Sequence, residues 1–124
     1  MTHAERSVLL VVDDESTVCR ALSRMLKKYA DEIITATNPN EAESVLEMGE
    51  VTHLICDHWF GPGQPLGLDL VARWKKRYAS ISRAVVLTGT DVTQLRAQPG
   101  VYQIMAKTVE PRELAQALNL QPRE

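Results

Sequence analysis

Asp13, Asp14, Asp57, Thr88 and Lys107 are the residues of this 124-residue chain whose types and placement suit joint chemistry. Each follows a short aliphatic or β-branched run: residues 8–12 lead into Asp13 and Asp14, 52–56 into Asp57, 84–87 into Thr88, and 101–106 into Lys107. Short runs of this kind, unbroken at 8–12, suit strands covered on both faces by helices, as in a parallel sheet. Such sheets bind ligands in the crevice outside the carboxyl ends of their strands. Three carboxylates gathered there repel one another by ~4 kcal/mol per pair at about 4 Å and an effective dielectric of about 20, so they need a counterion. A divalent metal is the natural answer, and carboxylate and carbonyl oxygens suit Mg²⁺, which keeps several waters and accepts phosphate oxygens alongside them. Plainer readings exist for each residue alone. The acids can be solvated loop residues that help start a helix, Thr88 before Gly89 can be turn chemistry, and Lys107 can be a surface lysine.

The elements that must position these residues follow from periodicity. Residues 16–29 place Val18, Ala21, Leu22, Met25 and Tyr29 at helical spacing, with Ser16 as the expected cap and Lys27 and Lys28 near the carboxyl end. A β-branched strand is expected over 32–37, and Asn38-Pro39 then announces a helix to about Met48, stopped by Gly49. After Asp57, the Pro- and Gly-rich stretch 58–66 reads as a loop. A helix over 67–78 carries Leu70, Val71, Trp74 and Tyr78 on one stripe, which makes the two aromatics core or cover rather than a stacking platform for bases. At most two turns of helix are expected over 91–98, and Pro111 opens a last helix to Asn119. Five strands alternating with five helices imply an α/β fold, a doubly wound, mainly parallel sheet.

Composition narrows the function classes. The length suits one domain over residues 1–124. A net charge of −2 gives no electrostatic footprint for nucleic acid or an anionic membrane, and no apolar run approaches the ~20 residues of a membrane span. The polar start lacks the pattern of a secretion signal, so a cytoplasmic protein is expected. Cys19 and Cys56 read as reduced, buried hydrophobes. His53, His58 and Cys56 offer soft-metal ligands, but a histidine inside a strand is more often a satisfied core residue.

The acidic pair Asp13-Asp14, Asp57 after the third strand, Thr88-Gly89 after the fourth and Lys107 after the fifth, with residues 67–71 (Gly-Leu-Asp-Leu-Val) and 109–114 (Val-Glu-Pro-Arg-Glu-Leu), resemble the receiver domain of two-component response regulators over essentially the whole chain. The resemblance implies the flavodoxin-like (βα)5 sheet in order 2-1-3-4-5, with Asp13, Asp14 and Asp57 meeting at the switch point. It assigns Mg²⁺ ligation to Asp14, Asp57 and the backbone carbonyl of Trp59, with Asp13 acting through water. Asp57 becomes the nucleophile that forms an acyl phosphate, and Lys107 and Thr88 answer the charge on the phosphoryl oxygens. The implied partners are a histidine kinase or phosphotransfer protein and a downstream protein target, with a homodimer left open. Nucleic acid and membrane are not implied. The chemistry would be self-phosphorylation and slow self-dephosphorylation rather than conventional turnover.

The chain departs from the family pattern at two positions. Thr108 stands where receivers usually have proline, commonly after a cis bond that aims the lysine, so Lys107 is expected to be aimed differently. Ile104 stands where many have an aromatic residue, with Tyr102 two positions earlier. The segment between Thr88 and Lys107 is short and the loop after Asp57 long, with His58, Trp59 and Phe60 placing bulk beside the acceptor. A degenerate receiver acting as a phosphorylation-independent scaffold is therefore the alternative. An aspartate phosphatase is disfavoured, because such enzymes generally space two aspartates one residue apart.

Overall fold

The computed structural model describes residues 6–89, 95, 98 and 100–122. Five strands, β1 (Val8–Val12), β2 (Glu32–Ala36), β3 (His53–Asp57), β4 (Arg83–Thr88) and β5 (Gln103–Ala106), form one parallel sheet in the order β2-β1-β3-β4-β5. The helices among the described residues are α1 (Ser16–Leu26), α2 (Pro39–Leu46), α3 (Gly67–Arg77) and α4 (Pro111–Ala117). The helix expected over 91–98 falls largely outside the described residues. No helix of the described residues is long and apolar enough to cross a membrane.

Every residue of β1 is buried because it lies between two apolar layers. On one face Leu10, Val12, Leu54, Cys56 and Val86 pack under α2 and α3, with Trp74 fully buried. On the other, Leu9, Val11, Ile55 and Val85 pack under α1 and α4 through Cys19, Leu26, Leu114 and Leu118. Alternate strand residues thus feed opposite layers, as strand geometry requires. Trp74 donates its indole N–H to Glu43 at 2.9 Å, and the Tyr78 hydroxyl donates to Glu47 at 2.7 Å, tying α3 to α2 at the polar edge of this layer.

Helix starts and stops depart from expectation by small amounts. Asn38 does cap α2, its side-chain oxygen accepting the Glu41 N–H at 2.9 Å, with Pro39 in the first turn. Ser16 does not cap α1. It is already helical, and Glu15 holds the cap position without a side-chain bond. The side chain that organises this turn is Asp13, whose Oδ1 accepts the Glu15 N–H at 2.9 Å. The first helix gives way to a 3-10 turn over Lys27–Tyr29, α2 ends at Leu46 rather than Met48, and β5 begins at Gln103 rather than 101.

Candidate functional site

Parallel register delivers the five chemistry-bearing residues to one rim. Val12 pairs with both Ala36 and Cys56, so Asp13 and Asp57 emerge side by side from β1 and β3. Asp57 pairs with Leu87 and Thr88 with Ala106, which sets Thr88 and Lys107 next along the rim. Asp13, Asp57 and Thr88 are the buried polar residues among those described, at 2%, 5% and 2% exposure, whereas Asp14 is exposed.

Lys107 reaches back over the acids. Its Nζ lies 3.0 Å from Asp57 Oδ1 and 3.4 Å from Asp13 Oδ2, and its own N–H donates to the Thr88 carbonyl at 2.9 Å. The expectation that Thr108 would leave Lys107 aimed elsewhere is thus corrected. The described chain has no cis peptide bond, and the lysine still enters the site because the β4–β5 pairing continues through that backbone bond. Burial pushes the Lys107 ammonium down, but the hydrogen bond to Asp57 and the charges of Asp13 and Asp57 outweigh it, so the net shift is upward. Burial holds the Asp13 carboxyl above its usual range, with Asp57 adding repulsion against the opposing pull of the Glu15 N–H and Lys107.

The donor set fits a hard cation. Asp13, Asp14 and Asp57 can each offer an oxygen with all three within 4.8 Å of one another, and Lys107 bridges only two of them. Among the described residues this is the one cluster placed to hold a metal. The trio of His53, His58 and Cys56 does not assemble: the His53 ring meets the Thr52 hydroxyl at 2.7 Å, while Cys56 is fully buried with its thiol on the Asp57 carbonyl.

Above the acids lies a cleft of about 300 Å³ whose walls include Asp14, Asp57, Trp59, Thr88 and Lys107. Glu15 and Gly89 also line it. The run of three acids at 13–15 is the signal in the sequence that the rim continues to Glu15. Gly67 is a second requirement hidden in the loop: a side chain there would run into the Asp57 carbonyl and, at 2.8 Å, His58 Cα. Its absence lets the Gly67 N–H donate to the His58 carbonyl at 2.8 Å and seats α3 directly behind Asp57. A larger hollow, about 380 Å³, lies at the opposite ends of β4 and β5 beside Arg83 and Tyr102 and contains none of the acids.

No curated protein matches the chain. Among solved structures it is similar to the signal receiver domain of an HD domain-containing protein from Pseudomonas fluorescens Pf-5, at 24% identity and a TM-score of 0.79 over 96% of this chain and 88% of that one. It is similar to the response regulator protein TrrA from Thermotoga maritima, solved in complex with Mg²⁺ and BeF, at 23% identity and a TM-score of 0.75 over 91% and 96%. A response regulator protein from Burkholderia pseudomallei, solved with a phosphorylated aspartic acid, calcium ion and citrate, matches at 23% identity and a TM-score of 0.72 over 90% of this chain and 66% of that one. These likenesses establish the fold. The family model described as the response regulator receiver domain matches residues 9–119, from within β1 to beyond α4 and through every residue of the acidic rim, and the chain therefore belongs to that family of two-component receiver domains.

Proposed function

We propose that Asp57 is a phosphoacceptor that takes its phosphoryl group, in a Mg²⁺-dependent reaction, from the phosphohistidine of a histidine kinase or phosphotransfer protein. The observation that carries this reading is the Lys107 ammonium 3.0 Å from an Asp57 oxygen inside a cluster of three carboxylates. The Asp57 carboxylate oxygen attacks phosphorus in line, a P–O bond forms as the P–N bond breaks, and the imidazole departs with a proton. Lys107 answers the charge on one phosphoryl oxygen and the Thr88 hydroxyl donates to another. Asp14, Asp57 and the Trp59 carbonyl would hold Mg²⁺ directly, with Asp13 acting through water. When bound, the ion supplies the positive charge for the remaining phosphoryl oxygen. Water later cleaves the acyl phosphate and resets Asp57.

The phosphoryl group acts as a population-shift ligand, favouring one arrangement of the loops after β3 and β4, and is read by a downstream protein at β5, α4 and the segment before them. Half-buried Ile104 and buried Tyr102 pack in the layer beneath α3 and are the residues that would register the shift. A cytoplasmic setting accords with two free, buried cysteines. The scaffold alternative gained from Thr108 and Ile104; the reach of Lys107 counts against the first, and the complete acidic set counts against the alternative as a whole. Incubation with acetyl phosphate and Mg²⁺ should give an acid-labile, hydroxylamine-labile phosphate adduct by mass spectrometry that is lost without Mg²⁺ and in Asp57→Asn. An adduct that persists in Asp57→Asn would overturn the assignment.

A further inference from the structure

Asp57 is almost closed to solvent, while Trp59, two residues later on the same cleft, is 55% exposed. A cleft of about 300 Å³ accommodates a phosphoryl group and the ring that carries it, but not the body of a protein. A protein that brings a phosphoryl group to Asp57 must therefore rest on the rim, and the Trp59 indole is part of that rim. Tryptophan is the residue type most enriched among interface side chains whose removal costs much binding energy.

The indole stands on a fixed base. The His58 N–H donates to the Leu87 carbonyl at 2.9 Å, the His58 carbonyl accepts from Gly67 at 2.8 Å, and Gln64 closes a turn onto the Gly61 carbonyl at 3.2 Å. Gly61 and Gly63 hold φ values of 113° and 77°, and Pro62 and Pro65 restrict the chain between and after them. A pinned loop loses little freedom when a partner covers it. Leu66, 36% exposed, ends the same loop and adds to its apolar surface. Exposed Glu15 lines the same cleft and has no cation paired with it among the described residues, so the rim offers an acidic side chain as well as an apolar one.

We infer that Trp59 is the anchor on which a protein phosphodonor seats, its indole entering an apolar depression beside the donor's phosphohistidine while a donor cation faces Glu15. This rests on the proposed phosphoacceptor role of Asp57. The test compares two donors on the full chain: acetyl phosphate, and the autophosphorylated histidine kinases of the host organism, screened for transfer. Trp59→Ala should lower the ratio of kinase-driven to acetyl phosphate-driven labelling by about tenfold or more, mainly through KM, and Trp59→Phe should restore most of it. Glu15→Gln should lower the same ratio severalfold and weaken its salt dependence. The inference is overturned if Trp59→Ala changes the ratio by less than about twofold, or if Trp59→Phe is no better than alanine. It is also overturned if no kinase labels a chain that acetyl phosphate labels, or if iodide quenching of the free chain changes on dilution, which would mean that a second copy covers the indole. Failure of both donors to label the unaltered chain would instead sink the phosphoacceptor reading itself.

Discussion

Lys107 and Asp13 share one electrostatic problem from opposite sides. Asp13 is buried beside Asp57, and its carboxyl is held above the usual range by that burial and that neighbour, with Lys107 offsetting only part. A carboxyl raised in the fold binds its proton there more tightly than in the unfolded chain. Its share of stability therefore grows as pH falls through the raised value and is lost as pH rises. Asp13→Asn removes the buried charge while keeping the shape, so the metal-free protein should gain about 1 kcal/mol, a few degrees in Tm by calorimetry. The same variant should bind Mg²⁺ about tenfold more weakly, read as Mg²⁺-dependent change in tryptophan emission. An unchanged Tm would show that Lys107 already neutralises Asp13 fully. At this scale the acids, Thr88 and Lys107 were legible because each follows the end of a strand-like run, buried in β1, β3 and β4 and half-buried in β5. The aim of Lys107 was not, because Thr108 changes one residue of a loop while the β4–β5 ladder carries the lysine backbone into place.

The element on which the placement of Asp57 depends most is the first turn of α3. Gly67 lets this turn meet the backbone of Asp57 and His58, and an alanine there has no room against main-chain atoms. Gly67→Ala should cost about 2 kcal/mol or more in urea denaturation and should slow the proposed labelling of Asp57 by acetyl phosphate, because the Asp57 backbone must shift. An alanine variant with wild-type stability would show that the turn can slide along β3. Asn38→Ala, by comparison, removes one cap bond at α2 without touching the walls of the acidic cleft, and should cost about 1 kcal/mol with labelling unaffected. Strand positions and helix faces were readable from period and from Pro-Gly punctuation. The cap of α1 was misread because Ser16 has the usual capping side chain, whereas buried Asp13, already fixed at the strand end, turns the chain instead. The fit of Gly67 was beyond sequence reading, since it depends on how closely two backbones pass.

Across the whole molecule, the alternation of strands and helices announced a parallel sheet, but its order followed only from the resemblance to receiver domains, and the observed order agrees. What no pattern announced is how the ends of the sheet away from the site are held. His53 opens β3 there, half-buried, and burial followed by the charge of Arg83 pulls its imidazole below the ordinary value. Below about pH 6.5 the unfolded chain takes up a proton that the fold resists, so this residue lowers stability on acidification, by at most about 1.4 kcal/mol per pH unit. Stability measured from about pH 7.5 to pH 5.5 should therefore fall less steeply in His53→Gln than in the unaltered protein, and parallel slopes would refute it.

The two cysteines give the molecule a further property. Cys56 lies in the apolar layer beneath α2 and α3, Cys19 in the layer beneath α1 and α4, and both are closed to solvent. Each thiol therefore becomes available to a labelling reagent only when its own layer opens, so the pair acts as two clocks, one for each side of the sheet. Equal labelling rates would mean that the layers breathe as one body, whereas unequal rates would identify which side loosens first and whether a charge placed on Asp57 stiffens one side more than the other.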